Sequence, residues 1–329
     1  MCKIALQLLH EYKKVRGEFF MKEEKKATRQ SYGEILEKLG EENKDIVVLD
    51  ADLSAATKTS IFAKKFPDRF FDMGIAEANM MGVAAGMASC GKIPYVSTFA
   101  AFAAGRAYDQ IRSSICYPNL DVKICATHAG ITVGEDGATH QMLEDLALMR
   151  ALPNMTVLCP SDDIETKYLI EEISKIKGPV YVRLARLATP GIYEENQTFE
   201  IGKAVQIGDG TDATVFATGV VVAEAIKAKE LLEKEGIYIR VVDIHTIKPI
   251  DKEMIIKSAK ETKKLISIED HSIIGGLGSA ISEVLTEEYP CKLDRMGIKD
   301  TFGKSGNAVE LLKYFGLTSE EIIKTVKNN

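Results

Sequence analysis

The chain has 329 residues, with a hydrophobic fraction of 46% and a charged fraction of 27%, which are ordinary values for a globular protein. This length exceeds one ordinary hydrophobic core, so we expect two domains, with one large domain as the alternative. A net charge of −6 and a pI near 5.6 argue against a broad nucleic-acid or membrane-binding surface, but they allow a local cationic pocket for phosphate.

The cysteines and the N-terminus predict a soluble, cytoplasmic protein. The six cysteines lack the spacing of metal ligands, and four lie in apolar runs where reduced thiols are expected. The N-terminus has no secretory signal, and the most apolar run, near residues 74–91, contains Glu77 and Asn79 and cannot span a membrane. Residues 1–24 are interpreted as an N-terminal appendage, and Met21 could equally be the true start.

Short β-branched runs alternate with longer helical patterns in the first half of the chain. The predicted strands are residues 46–51, 69–73, 93–98, 121–127, 155–161 and 180–185. The predicted helices are residues 30–43, 75–89, 107–115 and 163–176. This alternation is typical of an α/β fold in which helices cover both faces of a parallel sheet.

The second half repeats this pattern after an interruption. Residues 188–203 are rich in Pro, Gly and polar side chains, and we place a linker at 191–203, between a domain at 25–190 and a smaller α/β domain at 204–329. The predicted strands of the second domain are residues 213–219, 239–244 and 264–270. Its predicted helices are residues 220–235, 251–262 and 278–288, with a closing helix from residue 319.

The run HAGITVGEDGATHQ, residues 128–141, is the most informative segment of the chain. It follows a predicted strand and contains two of the five histidines, an acidic pair and three glycines. Glycine permits turns that other residues resist, and loops held by a rigid scaffold concentrate binding groups. We interpret this loop as the wall of an active site.

Two further segments contain candidate site residues. Glu77 lies in the first turn of the predicted helix 75–89, where a carboxylate can simply favour the helix N-terminus. A carboxyl in an apolar setting, however, tends to hold its proton, which suits acid–base chemistry. Phe99 and Phe102 have the spacing of helical core residues, but the alanines around them leave a slot that a flat ring could fill by stacking.

An ordered series of segments resembles transketolase. GIAEANMMGVAAGMA, STFAAFAAGRA, HAGITVGEDGATHQ and LALMRALPNMTVLCPSD are similar to its pyrimidine-binding half. FATGVVVAEAIKAKELLEKEGI, VVDIHTIKPID and EDHSIIGGLGSAISEVL are similar to its C-terminal domain. The resemblance runs from about Ala27 to the end and implies two parallel-sheet α/β domains. It also implies transfer of a two-carbon ketol unit from a ketose phosphate to an aldose phosphate, as in the pentose phosphate pathway.

The resemblance implies thiamine diphosphate as the coenzyme and assigns residues to it. Glu77 matches the carboxyl that exchanges a proton with the pyrimidine ring nitrogen, so that the coenzyme's own amino group can act as a base. Phe99 and Phe102 match the residues that flank the pyrimidine, and Asp52 matches an aspartate near the coenzyme. Without the resemblance, Asp52 would be interpreted as a turn or helix cap.

The resemblance also assigns residues to a sugar phosphate. His128, Asp136 and His140 match residues that bind substrate hydroxyls and transfer their protons. Arg29 and Arg186 match arginines that bind the terminal phosphate, for which the planar guanidinium is well suited. Without the resemblance, both arginines would be interpreted as solvated surface charges, and His128 would be interpreted as a polar residue at a strand end.

Three positions depart from the family pattern. Ala56 replaces a phosphate-binding serine, Ala129 replaces an aspartate that often follows the first histidine, and Gly105 replaces a third aromatic residue of the pyrimidine pocket. These departures put the preferred sugar phosphate in doubt, but not the coenzyme chemistry.

The metal-binding part of a transketolase is missing from this sequence. In the family, Mg²⁺ (or Ca²⁺) holds the diphosphate through a GDG sequence and a later asparagine. The GDG at 208–210 lies between AVQI and a predicted strand, which indicates a hairpin turn, and no asparagine follows before Asn307. We therefore predict no metal ligand in this chain and an N-terminal partner subunit that contains the GDG and the diphosphate site.

The expected assembly follows from this division. The small-residue face of helix 75–89 is predicted to be an interface, because interfaces of obligate assemblies are large and apolar. We expect two copies of this chain to associate across a pseudo-dimer interface and to bind two N-terminal subunits as a heterotetramer. The chain alone would be catalytically incomplete.

Three alternatives remain at this point. The β subunit of a 2-oxo-acid dehydrogenase shares the domain plan. Such β subunits bind no phosphorylated polyol, however, whereas GEDGATHQ and His128 indicate a site for one. A deoxyxylulose-phosphate-synthase-like protein shares the GIAEA and RAYDQ segments. A non-catalytic homologue is the third, and the retention of Glu77 with both histidines and both arginines argues against it.

Overall fold

The structure, a computed structural model, describes residues 21–328. Within this range the strands are β1 (Lys25–Ala27), β2 (Ile46–Asp50), β3 (Phe70–Asp72), β4 (Ile93–Ser97), β5 (Lys123–Ala126), β6 (Thr156–Leu158), β7 (Val180–Arg183), β8 (Ala188–Pro190), β9 (Val205–Ile207), β10 (Ala213–Ala217), β11 (Ile239–Asp243), β12 (Thr246–Lys248), β13 (Leu265–Ser272) and β14 (Leu293–Ile298). The α-helices are α1 (Thr28–Glu42), α2 (Ser54–Thr57), α3 (Ser60–Lys65), α4 (Glu77–Ser89), α5 (Tyr108–Gln110), α6 (Asp145–Arg150), α7 (Asp163–Ile173), α8 (Val222–Glu233), α9 (Lys252–Glu261), α10 (Leu277–Glu288), α11 (Ala308–Tyr314) and α12 (Ser319–Lys327).

Among the described residues, the strands form two large sheets and one small ribbon. The first sheet has seven strands in the order β12-β6-β7-β5-β4-β2-β3, and all neighbours are parallel except β12 and β6. The second has five strands in the order β14-β13-β10-β11-β9, and all neighbours are parallel except β9 and β11. β1 and β8 pair as an antiparallel ribbon. The predicted α/β fold with two parallel-sheet units is confirmed.

Burial explains why the central strands read as continuous apolar runs. Every residue of β2, β4, β5 and β7 is buried, as is every residue of β10 and β11 in the second sheet. Strands covered on both faces need apolar side chains at successive positions instead of an alternating pattern. The helices supply the outer layers, and α1 buries Tyr32 and Leu36 completely.

Several predictions of local structure were wrong. The helix predicted at 107–115 is the short α5 between two π-helical segments, Ala101–Arg106 and Ile111–Cys116. The GDG at 208–210 is no hairpin turn, because β9 and β10 lie on opposite sides of β11. Residues 188–190, at the start of the run that breaks the pattern, form β8.

Strand pairing joins the two halves of the chain, and hydrogen bonds hold the segment before β1 against residues 191–193. β12, from the second half, adds antiparallel to β6 and extends the first sheet. Residues 1–20 of the predicted appendage lie outside the described residues, but Lys22 donates its backbone N–H to the Gly191 carbonyl (2.8 Å) and its ammonium to the Tyr193 carbonyl (2.9 Å). The residues around β8 are therefore held by the segment just before β1. No helix in the described part of the chain is long and apolar enough to cross a membrane.

Candidate functional site

The candidate residues follow the carboxyl ends of the parallel strands in the first sheet. Glu77 follows β3, Phe99 follows β4, His128 follows β5 and Arg186 follows β7. Arg29 lies in the first turn of α1, which precedes β2. Ligands of open α/β sheets bind at this edge, because the loops that leave the strands there converge around one crevice.

Glu77 begins α4 and is 5% exposed. Its Oε1 accepts a hydrogen bond from Nη1 of Arg106 across 2.8 Å, and the Arg106 side chain is itself 51% exposed. The same guanidinium lies 4.0 Å from the centroid of the Phe102 ring. A cation therefore lies beside this carboxylate, which the predicted apolar setting of Glu77 did not include.

Three rings form an aromatic stack, which we define as His128, Phe99 and Phe102. The centroids of His128 and Phe99 are 3.8 Å apart with an interplanar angle of 24°, and those of Phe99 and Phe102 are 5.7 Å apart with an angle of 17°. The ring of His140 meets Phe102 edge-on at 5.4 Å. Phe99 is buried between the other two rings of the stack, and the guanidinium of Arg106 lies 4.0 Å from the centroid of Phe102.

His128 is buried and adopts a left-handed backbone conformation with φ of 56°. Such a conformation is uncommon for residues other than glycine and is often found at functional sites. Nη1 of Arg29 lies 3.1 Å from Nε2 of His128, and a guanidinium can only donate, so Nε2 accepts. The ring proton is then on Nδ1, which donates to Oγ1 of Thr127 across 2.8 Å.

Burial, with help from the positive charges of Arg29 and Arg186, lowers the pKa of His128 from 6.5 to about 3. A neutral imidazole with a known tautomer results. This state suits a group that orients a substrate hydroxyl by hydrogen bonding at neutral pH, because a pKa of about 3 leaves the ring a weak base.

Two arginines lie around the buried histidine. Nη1 of Arg29 also donates to the carbonyl of Ala56 across 2.9 Å, and its Nε is buried with no hydrogen-bond partner. Burial and the charge of Arg186 lower the pKa of Arg29. Arg186 donates to the carbonyl of Val133 and lies within 3.5 Å of Glu135 and 3.4 Å of Asp136. The two cations are near enough for the charge of Arg186 to act on Arg29, which suits an anionic ligand, but Glu135 and Asp136 already pair with Arg186.

The remaining candidates have different surroundings. Asp136 is exposed and pairs with Arg186, and His140 contacts Oγ1 of Thr139 through Nδ1 at 2.9 Å. Asp52 is exposed, with φ of 59°, and its backbone N–H donates to the carboxylate of Asp72, the last residue of β3. It lies at the same sheet edge as Phe99 but outside the contacts that join Arg29 to Glu77.

Asp50, rather than Asp52, organises the turn after β2. Its buried carboxylate accepts from the hydroxyls of Thr57 (2.7 Å) and Thr59 (2.8 Å) and from the backbone N–H of Leu53 (2.7 Å). This network fixes α2, which contains Ala56, the residue whose carbonyl accepts from Arg29. Ala56, which replaces the phosphate-binding serine of the family, thus still contributes its backbone carbonyl as a hydrogen-bond acceptor.

Within residues 21–328, no cluster of three or more His, Cys, Asp or Glu side chains is arranged to hold a metal ion. The carboxylate and ring faces near Glu77 instead fit a flat heterocycle with N–H groups.

Comparisons with known proteins fit this geometry. The family model described as "Transketolase, pyrimidine binding domain" matches residues 24–191, and "Transketolase, C-terminal domain" matches residues 202–322. The chain belongs to the transketolase family. The resemblance predicted from the sequence segments is confirmed, and transketolase-family membership implies thiamine diphosphate.

Relatives of similar length support membership in this family. The chain is 55% identical over 304 residues to the "Putative transketolase C-terminal section" of Methanocaldococcus jannaschii, covering 92% of this chain and 95% of that one. It is 42% identical to the "6-deoxy-6-sulfo-D-fructose transketolase subunit SqwH" of a Clostridium species, covering 93% and 95%. It is also 39% identical to human transketolase, but it spans 49% of that protein.

Solved structures agree with the sequence relatives. The structure described as "Split gene transketolase, inactive beta4 tetramer" matches with a TM-score of 0.84 and 51% identity, covering 92% of this chain and 97% of that one. Transketolase from Campylobacter jejuni matches with a TM-score of 0.79 over 93% of this chain and 47% of that one, and at 24% identity it shows the shared fold.

Two residues of the site region were missed by sequence reasoning. Arg106 stands in the quoted segment STFAAFAAGRA, but nothing in its spacing indicated a partner. Asp270 lies 139 positions beyond Ile131 and nevertheless bonds to its backbone. Neither Arg106 nor Asp270 had a sequence signal for its contact before the fold was known.

Proposed function

We propose that this chain is the C-terminal subunit of a thiamine-diphosphate-dependent transketolase, active with an N-terminal subunit that binds the metal and diphosphate. The observation that carries the proposal is the unbroken set of contacts from Arg29 through the aromatic stack and Arg106 to Glu77. These contacts join the matched phosphate-binding arginine to the matched coenzyme carboxyl. A chain that had lost its function would be under no constraint to keep both ends in one crevice.

The buried carboxylate and ring faces fit the pyrimidine of the coenzyme. Glu77 would hold a proton at the ring nitrogen, and Phe99 and Phe102 would flank the ring. Thiamine diphosphate, when bound, supplies a nucleophilic carbon that accepts the ketol unit. The chain's own part is to orient the pyrimidine, to exclude water from the carboxyl and to keep His128 neutral.

The substrate would be bound on the other side of the aromatic stack. Arg29 and Arg186 would bind the terminal phosphate, with the unpartnered Nε of Arg29 available as a donor. His128, His140 and Asp136 would contact the sugar hydroxyls, and Asp136 would have to leave Arg186 to do so. Relatives named for a sulfo-sugar and for apulose-4-phosphate show that subunits of this family serve different sugars.

The metal, Mg²⁺ or Ca²⁺, is assigned to the partner subunit. The described residues offer no cluster of metal ligands, and the chain spans about half of full-length transketolases. The exposed face of α4 is suited to close packing, because ideal Cβ atoms at Gly82 and Gly86 would meet nothing within 4 Å. Ile75, just before this helix, is 75% exposed. We therefore assign this face to an interface, in an assembly of two copies of each subunit.

Reconstitution tests the proposal. The chain is co-expressed with a second polypeptide that contains a GDG diphosphate-binding domain, and the pair is purified together. Transfer of a two-carbon unit between a ketose phosphate and an aldose phosphate is then measured with thiamine diphosphate and Mg²⁺. We expect transfer only when both chains, the coenzyme and the metal are present.

The same preparation separates the rival functions. Decarboxylation of a 2-oxo acid without ketol transfer would identify the β subunit of a 2-oxo-acid dehydrogenase. Condensation of pyruvate with an aldose phosphate would identify a deoxyxylulose-phosphate-synthase-like protein. A stable complex that binds the coenzyme but turns over none of these substrates would indicate a non-catalytic homologue.

A further inference from the structure

We propose that Asp270, in the C-terminal domain, is a positioning residue that sets the conformation of the site loop. The site loop is defined as residues 128–141, which include His128, Asp136 and His140. The inference rests on the proposed function for its effect on catalysis, but not for its structural part. It gives the C-terminal domain a role in the active site although none of its residues was assigned to substrate or coenzyme.

Asp270 lies near the end of β13 and is 1% exposed. Its Oδ1 accepts from the backbone N–H of Ile131 across 2.9 Å, and its Oδ2 accepts from the hydroxyl of Thr132 across 3.4 Å. Charge-assisted bonds from a carboxylate to backbone N–H groups are among the stronger hydrogen bonds in proteins. Two successive residues of the site loop are thereby tied to the second domain.

The backbone of the site loop is shaped to receive this carboxylate. Gly130 has φ of 75°, and an ideal Cβ at this position would lie 2.0 Å from Oδ2 of Asp270. A side chain at residue 130 is therefore excluded both by its backbone conformation and by the approach of the carboxylate. Neighbouring backbone bonds, from Gly130 to the Met142 carbonyl (2.9 Å) and from Ala129 to the Leu184 carbonyl (3.3 Å), fix the start of the loop to the first domain.

Asp270 is itself held firmly. Its carbonyl accepts from Nη2 of Arg183 across 2.7 Å, and Nε of Arg183 donates to the buried carboxylate of Asp145. Arg183 ends β7 and is 5% exposed, so the anchor of Asp270 belongs to the rigid first sheet. The position of its carboxylate is thus fixed from both domains.

A second contact from the C-terminal domain supports the far end of the loop. Nε2 of Gln141 donates to the carbonyl of Lys304 across 2.8 Å and also approaches those of Ile131 and Gly134 at 3.2 Å. An ideal Cβ at Gly137 would lie 2.4 Å from Oγ of Ser305. The loop is therefore enclosed by two segments of the second domain.

The loop in turn sets the substrate-facing groups. Arg186 donates to the carbonyl of Val133 and pairs with Asp136, so a shift of the 3-10 turn Ile131–Val133 would move both. A misplacement of about 1 Å in such groups can cost roughly a hundredfold in rate. Asp270 acts through these residues and not on the substrate.

Hydrogen exchange of the full chain tests the structural part. In the wild type, the backbone N–H of Ile131 should exchange slowly, although it belongs to no strand or regular α-helix. Asp270→Ala should raise exchange in residues 128–141 by roughly tenfold or more, since a bond to a charged group is lost. Asp270→Asn should largely restore protection, because the amide oxygen can still accept from Ile131.

The matched control is Asp251→Ala. Asp251 is a buried aspartate of the same domain whose carboxylate likewise accepts two hydrogen bonds, here from the backbone N–H groups of Met254 (3.0 Å) and Ala204 (2.9 Å), neither of them in the site loop. This variant should leave loop exchange unchanged. Fast exchange of Ile131 in the wild type would overturn the proposal even if Asp270→Ala fails to fold.

Kinetics of the reconstituted enzyme test the functional part. Asp270→Ala should raise KM for the phosphorylated acceptor roughly 10- to 100-fold, with a smaller fall in kcat, and Asp270→Asn should recover most of the loss. Unchanged KM together with faster loop exchange would refute the positioning role. A wild-type complex without transfer activity would refute the proposed function instead, and the exchange result would still stand.

Discussion

Arg106 donates from Nη1 to Oε1 of Glu77 across 2.8 Å while its guanidinium lies 4.0 Å from the centroid of the Phe102 ring. A planar group with N–H donors thus faces the same carboxylate and the same ring that we assign to the coenzyme pyrimidine. A bound pyrimidine and this arrangement of Arg106 would compete for those contacts. If Glu77 and Phe102 bind the pyrimidine as proposed, we expect Arg106 to move when the coenzyme binds.

Replacement of Arg106 tests this competition. Arg106→Ala in the assembled enzyme should tighten thiamine diphosphate binding about 2- to 5-fold, because a half-exposed ion pair and cation–π contact together contribute roughly 0.5–1 kcal/mol. Isothermal titration calorimetry measures the change. Arg112→Ala, an exposed arginine in the following π-helical segment, is the control and should leave binding unchanged. Weaker binding in Arg106→Ala would mean that Arg106 helps to hold the coenzyme.

Arg29 is expected to distinguish phosphorylated from unphosphorylated substrates. Arg29→Lys loses the planar pair of donors, so KM for an aldose phosphate should rise about 10- to 100-fold, as for the loss of one charged hydrogen bond. KM for the corresponding unphosphorylated aldose should change little. Arg69→Lys is a structural control, because Arg69 donates to the carbonyls of Gly40, Asn43 and Ile46 near the end of α1. An equal rise for both substrates would remove Arg29 from the phosphate site.

The sequence predicted the fold better than the details of the site. Continuous apolar runs such as IVVLD at β2 identify buried parallel strands, and loops after such strands meet at one edge. In the structure, His128, Phe99 and Glu77 follow β5, β4 and β3 and lie at this edge, as the rule requires. No local sequence pattern could predict that β9 pairs with β11, because tertiary packing determines which strands are neighbours.

The residues that were missed depend on long-range packing. Arg106 contacts Glu77 from the end of the π-helix formed by residues 101–106, and a sequence of small residues does not predict a π-helix. β12 is three residues long and pairs with a strand 88 positions away, Thr246 with Leu158. Short elements of this kind have too few residues to show a period.

A buried carboxyl pair between the two sheets predicts a pH dependence of stability. Oγ of Ser161 lies 2.9 Å from Oε2 of Glu165 and 2.7 Å from Oδ2 of Asp243, and Tyr193 also donates to Asp243 at 2.9 Å. The serine has one proton for two acceptors, so one carboxyl should be protonated. Burial raises the pKa of Asp243 from 3.8 to about 7 and raises that of Glu165 as well.

The sign of the effect follows from proton linkage. The folded chain keeps a proton that the unfolded chain releases, so this contribution to the unfolding free energy is fully present below pH 3.8 and is lost as pH rises towards 7. The slope should approach about 1.4 kcal/mol per pH unit for one proton. Denaturant titrations between pH 4.5 and 7.5 should show that the unfolding free energy of Asp243→Asn decreases less steeply with pH than that of the wild type. An identical slope in both proteins would place the proton elsewhere.

Coenzyme-dependent transfer by Glu77→Gln in the reconstituted complex tests the central claim most directly. The amide cannot hold and return the proton, so transfer should fall at least about a hundredfold while the complex still assembles. Glu283→Gln, at an exposed glutamate paired with Arg150, is the control and should keep full activity. Near-normal transfer by Glu77→Gln would contradict the assignment of this carboxyl to the coenzyme.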